Sequence, residues 1–266
     1  MKYTGEDLTI VLCAYKECPY LEKSLRALMN QTVKCHVAVS TSTPNEYISR
    51  IAGKYHVPVW VNPDGGHVKD YNFAMRQVST KLGMIAHQDD LLSRRFVEMS
   101  LKALCAASDP ILSFTDYLEI HNDVPDRKPS VMIRIKRLLV WPMRIPLFRR
   151  TVFAKRLGQC IGNPITHPSV ICVMDRMPDP LFRLQYQASM DWDLWERLSW
   201  EKGEFAYVGS VLLLHRMTSE NATAKLIHST NAKYSEEYEI MSRFWPKPVA
   251  RVIMHFYFRS AKYYLQ

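Results

Sequence analysis

Through its first 120 residues the chain repeats one pattern: a short apolar run, then a segment whose apolar residues recur at helical spacing. Leu8–Ala14 is the first run. Pro19 suits the opening turn of a helix, and Leu21, Leu25 and Leu28 follow at i, i+4 and i+7, one helical face. Val37–Ser40 is a second run, Asn45–Tyr55 a second helix and Val57–Val61 a third run. The Asp64-Gly65-Gly66 turn opens a helix carrying Tyr71, Ala74, Met75 and Val78, and Leu82–Asp90 follows as a fourth run. Phe96–Ala107 and Ile111–Ile120 continue the alternation. Strands separated by helices build βαβ units, so the expected class is α/β with a mainly parallel sheet covered by helices.

The fourth run, LGMIAHQDD, stops abruptly at Asp89 and Asp90. Two carboxylates at the carboxyl end of a buried strand sit where open α/β sheets bind ligands. As hard oxygen donors they suit Mg²⁺ or Mn²⁺ held against phosphate. By itself the motif fits a solvated acidic turn equally well.

Charge narrows the choice of partners. The 266 residues carry a formal +9, yet residues 127–174 hold ten Lys and Arg and no acid, so the remainder sums to −1. In IRIKRLLVWPMRIPLFRR the cations interleave with large apolar groups, which fits an amphipathic element meeting an anionic membrane surface. A helix packed by its apolar side, with solvated cations outside, fits the same pattern. The aromatic, cationic stretch from Phe244 to Gln266 repeats the mixture. No apolar run approaches the roughly 18–20 residues that span a bilayer. MKYTGEDLTI has no signal-peptide pattern, and the six cysteines lack metal-site spacing, so a reduced, cytoplasmic setting is expected.

Further along, GNPITHPSV reads as a loop and strand. His167 within it serves as an acceptor or phosphate contact, or as a hydrogen-bonded structural histidine. In SMDWDLWERL, Ser189 is a good N-cap and Asp191 falls in the first turn, where the helix dipole favours negative charge. Asp193 points to a different face. Phe205–Leu214 is a strand ending at His215-Arg216, and the polar residues 217–225 read as a lid.

In this order, TIVLCAYKE, NPDGGHVKDYN, HQDD, SMDWDLWERL and LLLHRMTSENAT resemble the family 2 glycosyltransferases of the GT-A fold. The resemblance covers about residues 8–225 and extends to bacterial surface-polysaccharide members. It implies a Rossmann-like sheet flanked by helices, with a nucleotide half at about 1–120, an acceptor half at about 121–225 and a helical, basic C-terminal extension from 226. It maps the catalytic base onto Asp191 and metal ligation onto Asp90 and Asp89. Nucleotide contacts fall on Ala14, Tyr15, Glu17, Ser40, Lys69, Asn72 and Asp89. Acceptor or phosphate contacts fall on His167, Asp193, His215 and Arg216. The implied cofactor is Mn²⁺ or Mg²⁺. The implied partners are a nucleotide-diphosphate sugar and a glycan or lipid-linked acceptor at the inner membrane face, with no nucleic acid. Three positions depart from the family pattern. Ser40-Thr41-Ser42 stands where a carboxylate often reads the nucleotide base, His87 replaces the first carboxylate of the metal motif, and Tyr71-Asn72 replaces an Arg-Asn pair. A metal-dependent nucleotidyltransferase shares the sheet and carboxylate pair but lacks the second candidate base. A basic nucleic-acid-binding protein explains the charge but leaves HQDD and MDWDLW without a role.

Overall fold

A computed structural model describes residues 3–121, 124–217 and 232–262, with side chains as far as residue 258. Four parallel strands form one half of the sheet: β1 (Leu8–Ala14), β2 (His36–Thr41), β3 (Val59–Val61) and β4 (Leu82–His87). Between them run α1 (Leu21–Met29), α2 (Glu46–Lys54) and α3 (His67–Arg76). The alternation in β1 sends Leu8, Ile10 and Leu12 into one core, while Cys13 packs against the other. Leu21, Leu25 and Leu28 of α1 meet the first set, as their spacing predicts. Asn45 caps α2 by accepting from the Ile48 N–H. At the mouth of α3, Gly65 and Gly66 have φ of +64° and +108°, a region that side chains with a Cβ seldom enter.

The rest of the sheet comprises β5 (Leu91–Leu92), β6 (Pro110–His121), β7 (Val124–Pro125), β8 (Val170–Val173) and β9 (Glu204–Arg216), with α4 (Phe96–Ala106) before β6. The strand order is β3-β2-β1-β4-β8-β6-β9-β5, with β7 beside β6. The sheet as a whole is mainly parallel, with β6 and β9 parallel over a long register, but β8 runs antiparallel to both β4 and β6, as β5 does to β9 and β7 to β6. All four residues of β8 are buried.

After β1 the chain proceeds outward to β2 and β3, then returns to place β4 on the opposite side of β1. The carboxyl ends of β1 and β4 therefore flank a topological switch point.

The basic segment forms α5 (Val131–Val140), α6 (Pro146–Arg149) and α7 (Val152–Leu157), and it meets the packed-helix expectation only in part, since six of its cations turn onto the protein's own groups. Arg137 bonds Asp116, Arg149 pairs with Glu204, Arg156 with Glu196, and Lys155 donates to the Gly203 carbonyl. Lys136 meets the Tyr117 hydroxyl, and Arg144 lies over the Tyr207 ring. Val131, Leu138, Trp141, Leu147, Phe148 and Phe153 face outward instead. These cations satisfy acids and carbonyls of the sheet and of the helix and turn leading into β9. The apolar side chains divide between the interior, which takes Ile133, Val140, Met143 and Ala154, and the surface.

Helix α8 (Met190–Ser199) buries Trp192 and Trp195 in the core, while Trp200 just beyond it is 59% exposed. The C-terminal helices α9 (Ala232–Met241) and α10 (Lys247–Lys262) pack on it through Ile240, Met241, Ala250 and Met254. Among the described residues, no helix is long and apolar enough to cross a membrane. Of the polar stretch read as a lid, residues 218–225 lie outside the described residues.

Candidate active site

Strand β4 ends at His87, and the next three residues turn across the switch point. Ser24 of α1 pins this turn by donating to the carbonyls of Gln88, at 2.9 Å, and Asp90, at 2.7 Å. Gln88 accepts from the Tyr15 N–H (2.9 Å) and so ties the turn to the end of β1. There Lys16 adopts φ +55°, a costly conformation outside glycine, held by its N–H bond to Thr43. Ala14 is buried at the end of β1, while Tyr15 and Glu17 are exposed beyond it.

Asp90 is buried and heavily engaged. His215 Nδ1 lies 2.9 Å from one carboxylate oxygen and 3.1 Å from the other, and the Arg216 N–H donates at 2.8 Å. Burial pushes the Asp90 carboxyl up, but the His215 charge and hydrogen bond, with His87 and the Arg216 N–H, prevail and hold it below its ordinary value. Asp89 moves the other way: burial, with Asp90 beside it, pushes it up to about 6. The Arg216 guanidinium donates to the Asp89 carbonyl at 3.0 Å and stacks on Tyr20 at 3.8 Å. Thus β9 delivers His215 and Arg216 to the carboxylates of β4.

His87, Asp89 and Asp90 each offer a ligand atom, and these atoms lie within 4.8 Å of one another. Burial lowers His87 to about 4, so its ring is neutral and keeps a lone pair for a metal. One imidazole nitrogen with two carboxylates suits Mn²⁺ and accommodates Mg²⁺ less well. His167 sits behind His87 with the two ring nitrogens 3.3 Å apart, enclosed by Tyr71, Phe182 and Trp195. Burial, with His87 and His67 nearby, drives His167 well below the usual histidine range. In this position it orients His87 and is shut away from an acceptor.

Tyr71 links the two sides of the site. Its ring stacks on His87 at 5.7 Å, and burial raises its phenol, with the charges of Asp89, Asp90 and Asp191 all adding to the shift. Asp191, in the first turn of α8, accepts from Asn163 Nδ2 at 2.8 Å. Its carboxyl is raised by burial, against the Trp192 N–H, Asn163, Lys233 and Lys136. A raised pKa makes a carboxylate a better proton acceptor near neutral pH.

Other sequence-marked residues have different surroundings. Asp193 is fully buried among Arg197 (3.1 Å), Arg243 (2.7 Å) and Arg183 (3.6 Å), so it anchors α8 and is closed to a ligand. Asn72 is buried against the loop before α8, donating to the Phe182 carbonyl and accepting its N–H, each at 2.8 Å. Lys69 stands exposed on the first turn of α3, and Ser40 is buried at the end of β2.

Sequence reasoning passes over Ser24, Asp70, Asn163 and Glu236. Asp70 of α3 accepts from Ser42 Oγ (2.8 Å) and Asn62 Nδ2 (2.7 Å), bringing a carboxylate to the end of β2, where the chain itself has only hydroxyls. The Ser189 hydroxyl makes no cap. Instead the Glu236 carboxylate on α9 accepts from the N–H groups of Gln187, Ala188 and Ser189, each at 2.9 Å. The Gly-Asn-Pro turn was the available signal for Asn163; the other three have no local signature.

Compared by sequence, the chain matches no family model and no curated protein. Compared by structure, it is similar to Staphylococcus aureus TarS 1–349 in complex with UDP. The TM-score is 0.60 at 13% identity, covering 89% of this chain and 70% of that one. It is similar also to the Pyrobaculum calidifontis mannosyltransferase PcManGT, in complex with GDP-Man and Mn²⁺, at TM-score 0.59 and 14% identity over 98% and 76% of the two chains. A third similar structure is Mycobacterium tuberculosis glucosyl-3-phosphoglycerate synthase with Mn²⁺, UDP and phosphoglyceric acid. It has TM-score 0.54 and 14% identity, covering 87% of this chain and 78% of that one. The fold is that of the GT-A glycosyltransferases. In this GT-A chain the carboxylates after β4 and the one at the start of α8 lie near enough to Tyr71 for all of them to raise its phenol.

Proposed function

We propose that this protein transfers a sugar from a nucleotide-diphosphate donor to an acceptor hydroxyl with inversion at the anomeric carbon. One observation carries the reading: a carboxylate pair suited to a metal and a separate carboxylate of raised pKa both act on Tyr71, across the switch point. The donor lies over the ends of β1 and β2, along Ala14, Tyr15, Glu17 and Ser40, with Asp70 as the carboxylate nearest the base-reading position. Asp90 and Asp89, with His87, hold a divalent metal, which when bound neutralises charge on the diphosphate. Arg216 adds fixed positive charge beside them. Asp191 takes the proton of the acceptor hydroxyl as its oxygen bonds to the anomeric carbon. The bond from that carbon to the diphosphate oxygen breaks, and its electron pair leaves with the nucleoside diphosphate. With one base and no covalent nucleophile, the displacement is single and inverting.

The acceptor we favour is a lipid-linked glycan in bacterial surface-polysaccharide synthesis, met at the inner face of the cell membrane. The outward apolar residues of α5–α7 support a membrane-facing surface. The nucleic-acid alternative loses its footing, because six of the ten cations of the basic segment are turned onto the protein's own groups.

Thermal-shift measurements with UDP-, GDP- and dTDP-sugars, each with and without Mn²⁺, test the reading, since a ligand specific to the native state raises its melting temperature. One donor class should stabilise the wild type only with metal, and Asp90→Ala should lose that response. Equal stabilisation of Asp90→Ala, or none of the wild type by any donor, would count against it.

A further inference from the structure

Glu236 and Glu237 are neighbours on α9, both buried, and engaged in different ways. Glu236 holds the start of α8. Glu237 has one oxygen 3.8 Å from Lys233 Nζ, while the other meets no hydrogen-bond partner although the residue is only 4% exposed. Buried polar atoms are nearly always paired, so a carboxylate oxygen left without a donor calls for an explanation. Its surroundings supply one. Burial pushes the Glu237 carboxyl up to about 7, opposed by Lys233 and Lys136 and reinforced by Asp191 and Glu236. Tyr257 of α10 also feels the charges of Glu237, Tyr117 and Asp191. Its ring lies against Gly162, where a Cβ would come within 2.7 Å, and the next residue is the Asn163 that holds Asp191. Polar groups from five elements thus bear on one another close to the start of α8, where Glu236 and Asn163 make their bonds.

We propose that Glu237 is an acceptor-binding residue, gripping a hydroxyl adjacent to the one Asp191 deprotonates, so that the acceptor is a sugar or polyol bound through two neighbouring hydroxyls. The assignment rests on Asp191 as the base of the proposed transfer. An anionic group is disfavoured between two carboxylates, and Lys233 and Lys136 oppose a metal ion there. A hydroxyl both donates and accepts, so it satisfies Glu237 whether or not that carboxyl is protonated.

Saturation-transfer NMR on the full chain, with methyl glycosides, ribitol and glycerol as probes, tests the subsite. Binding of at least one probe to the wild type is expected. Glu237→Gln should weaken it about tenfold and Glu237→Leu abolish it, while the nucleotide- and Mn²⁺-dependent rise in melting temperature persists. Probe binding unchanged in Glu237→Leu, or absent from the wild type, would overturn the proposal. If instead no nucleotide sugar binds the wild type while glycoside binding still depends on Glu237, the transferase reading fails and the subsite stands.

Melting temperatures against pH supply the folding control. The raised carboxyl means that the folded chain binds more protons than the unfolded chain between the ordinary value of 4.5 and about 7. The contribution of Glu237 to stability therefore falls as pH rises through that window and levels off above it. Glu237→Gln cannot titrate, so it should melt at or above the wild type at pH 8, with any advantage shrinking toward pH 5. A variant melting well below the wild type at pH 8 would mark Glu237 as structural and overturn the assignment.

Discussion

Asp191 combines three properties expected of a general base: partial burial, a raised pKa and an orienting donor in Asn163. Asp191→Asn keeps the shape and removes the proton acceptor, so donor binding should persist while transfer slows about 10²–10⁴-fold, the usual range for general-base loss. A near wild-type rate in single-turnover transfer would place the base elsewhere, and Asp193 is no substitute because three arginines enclose it. Residues at element boundaries were readable from the sequence, because a strand end or a helix start fixes where a side chain can lie. Asp89, Asp90, Asp191, His215 and Arg216 are of this kind. Ser24, Asp70 and Glu236 act across long separations and leave no pattern near themselves. His167 and Asn72 carry polar side chains in both settings, and only the packed neighbours distinguish support from ligand contact.

At the scale of elements, α8 begins with an N-cap signature that the structure leaves idle. The Ser189 hydroxyl has no partner, and from 47 residues away Glu236 fixes the turn leading into the helix by accepting the N–H groups of Gln187, Ala188 and Ser189. A carboxylate accepting three N–H groups at a helix start gains both charge-assisted bonds and the favourable end of the helix dipole. Glu236→Ala should destabilise the chain by about 3 kcal/mol, and Glu236→Gln by less, as read by urea denaturation. A loss below about 0.5 kcal/mol in the alanine variant would show the cap to be dispensable. The strands and helices of the first 120 residues matched the sequence pattern closely, since each helix buries one side and the central strands bury both in the two cores. The basic segment did not, because hydropathy alone assigns cations to water, whereas Asp116, Glu196 and Glu204 draw them inward.

Across the whole molecule, that reversal changes how membrane attachment would work. Arg127, Lys128, Arg134, Arg144 and Arg150 are the exposed cations of the segment, so attraction to anionic lipid draws on five charges in place of ten. Leu138 and Phe153, 73% and 72% exposed, offer apolar insertion alongside them. Co-sedimentation should recover the protein with anionic vesicles more than with neutral ones. Arg134→Ala should weaken recovery about fivefold, the equivalent of about 1 kcal/mol per cation. Leu138→Asp combined with Phe153→Asp should remove it. Equal recovery with both vesicle types, or none with either, would refute the membrane surface.

The antiparallel strand β8 has a consequence for synthesis of the chain. It pairs with the edge of β4 at that strand's start, Leu82 and Gly83, yet it is translated about 90 residues later. At roughly 5–20 residues per second, the ribosome leaves that edge without its partner for about 5–20 s. During this interval the nucleotide-side strands present unpaired N–H and C=O groups to any passing chain. The window in which this protein is most prone to aggregate therefore opens before its acceptor half exists, and closes when Val170–Val173 emerges.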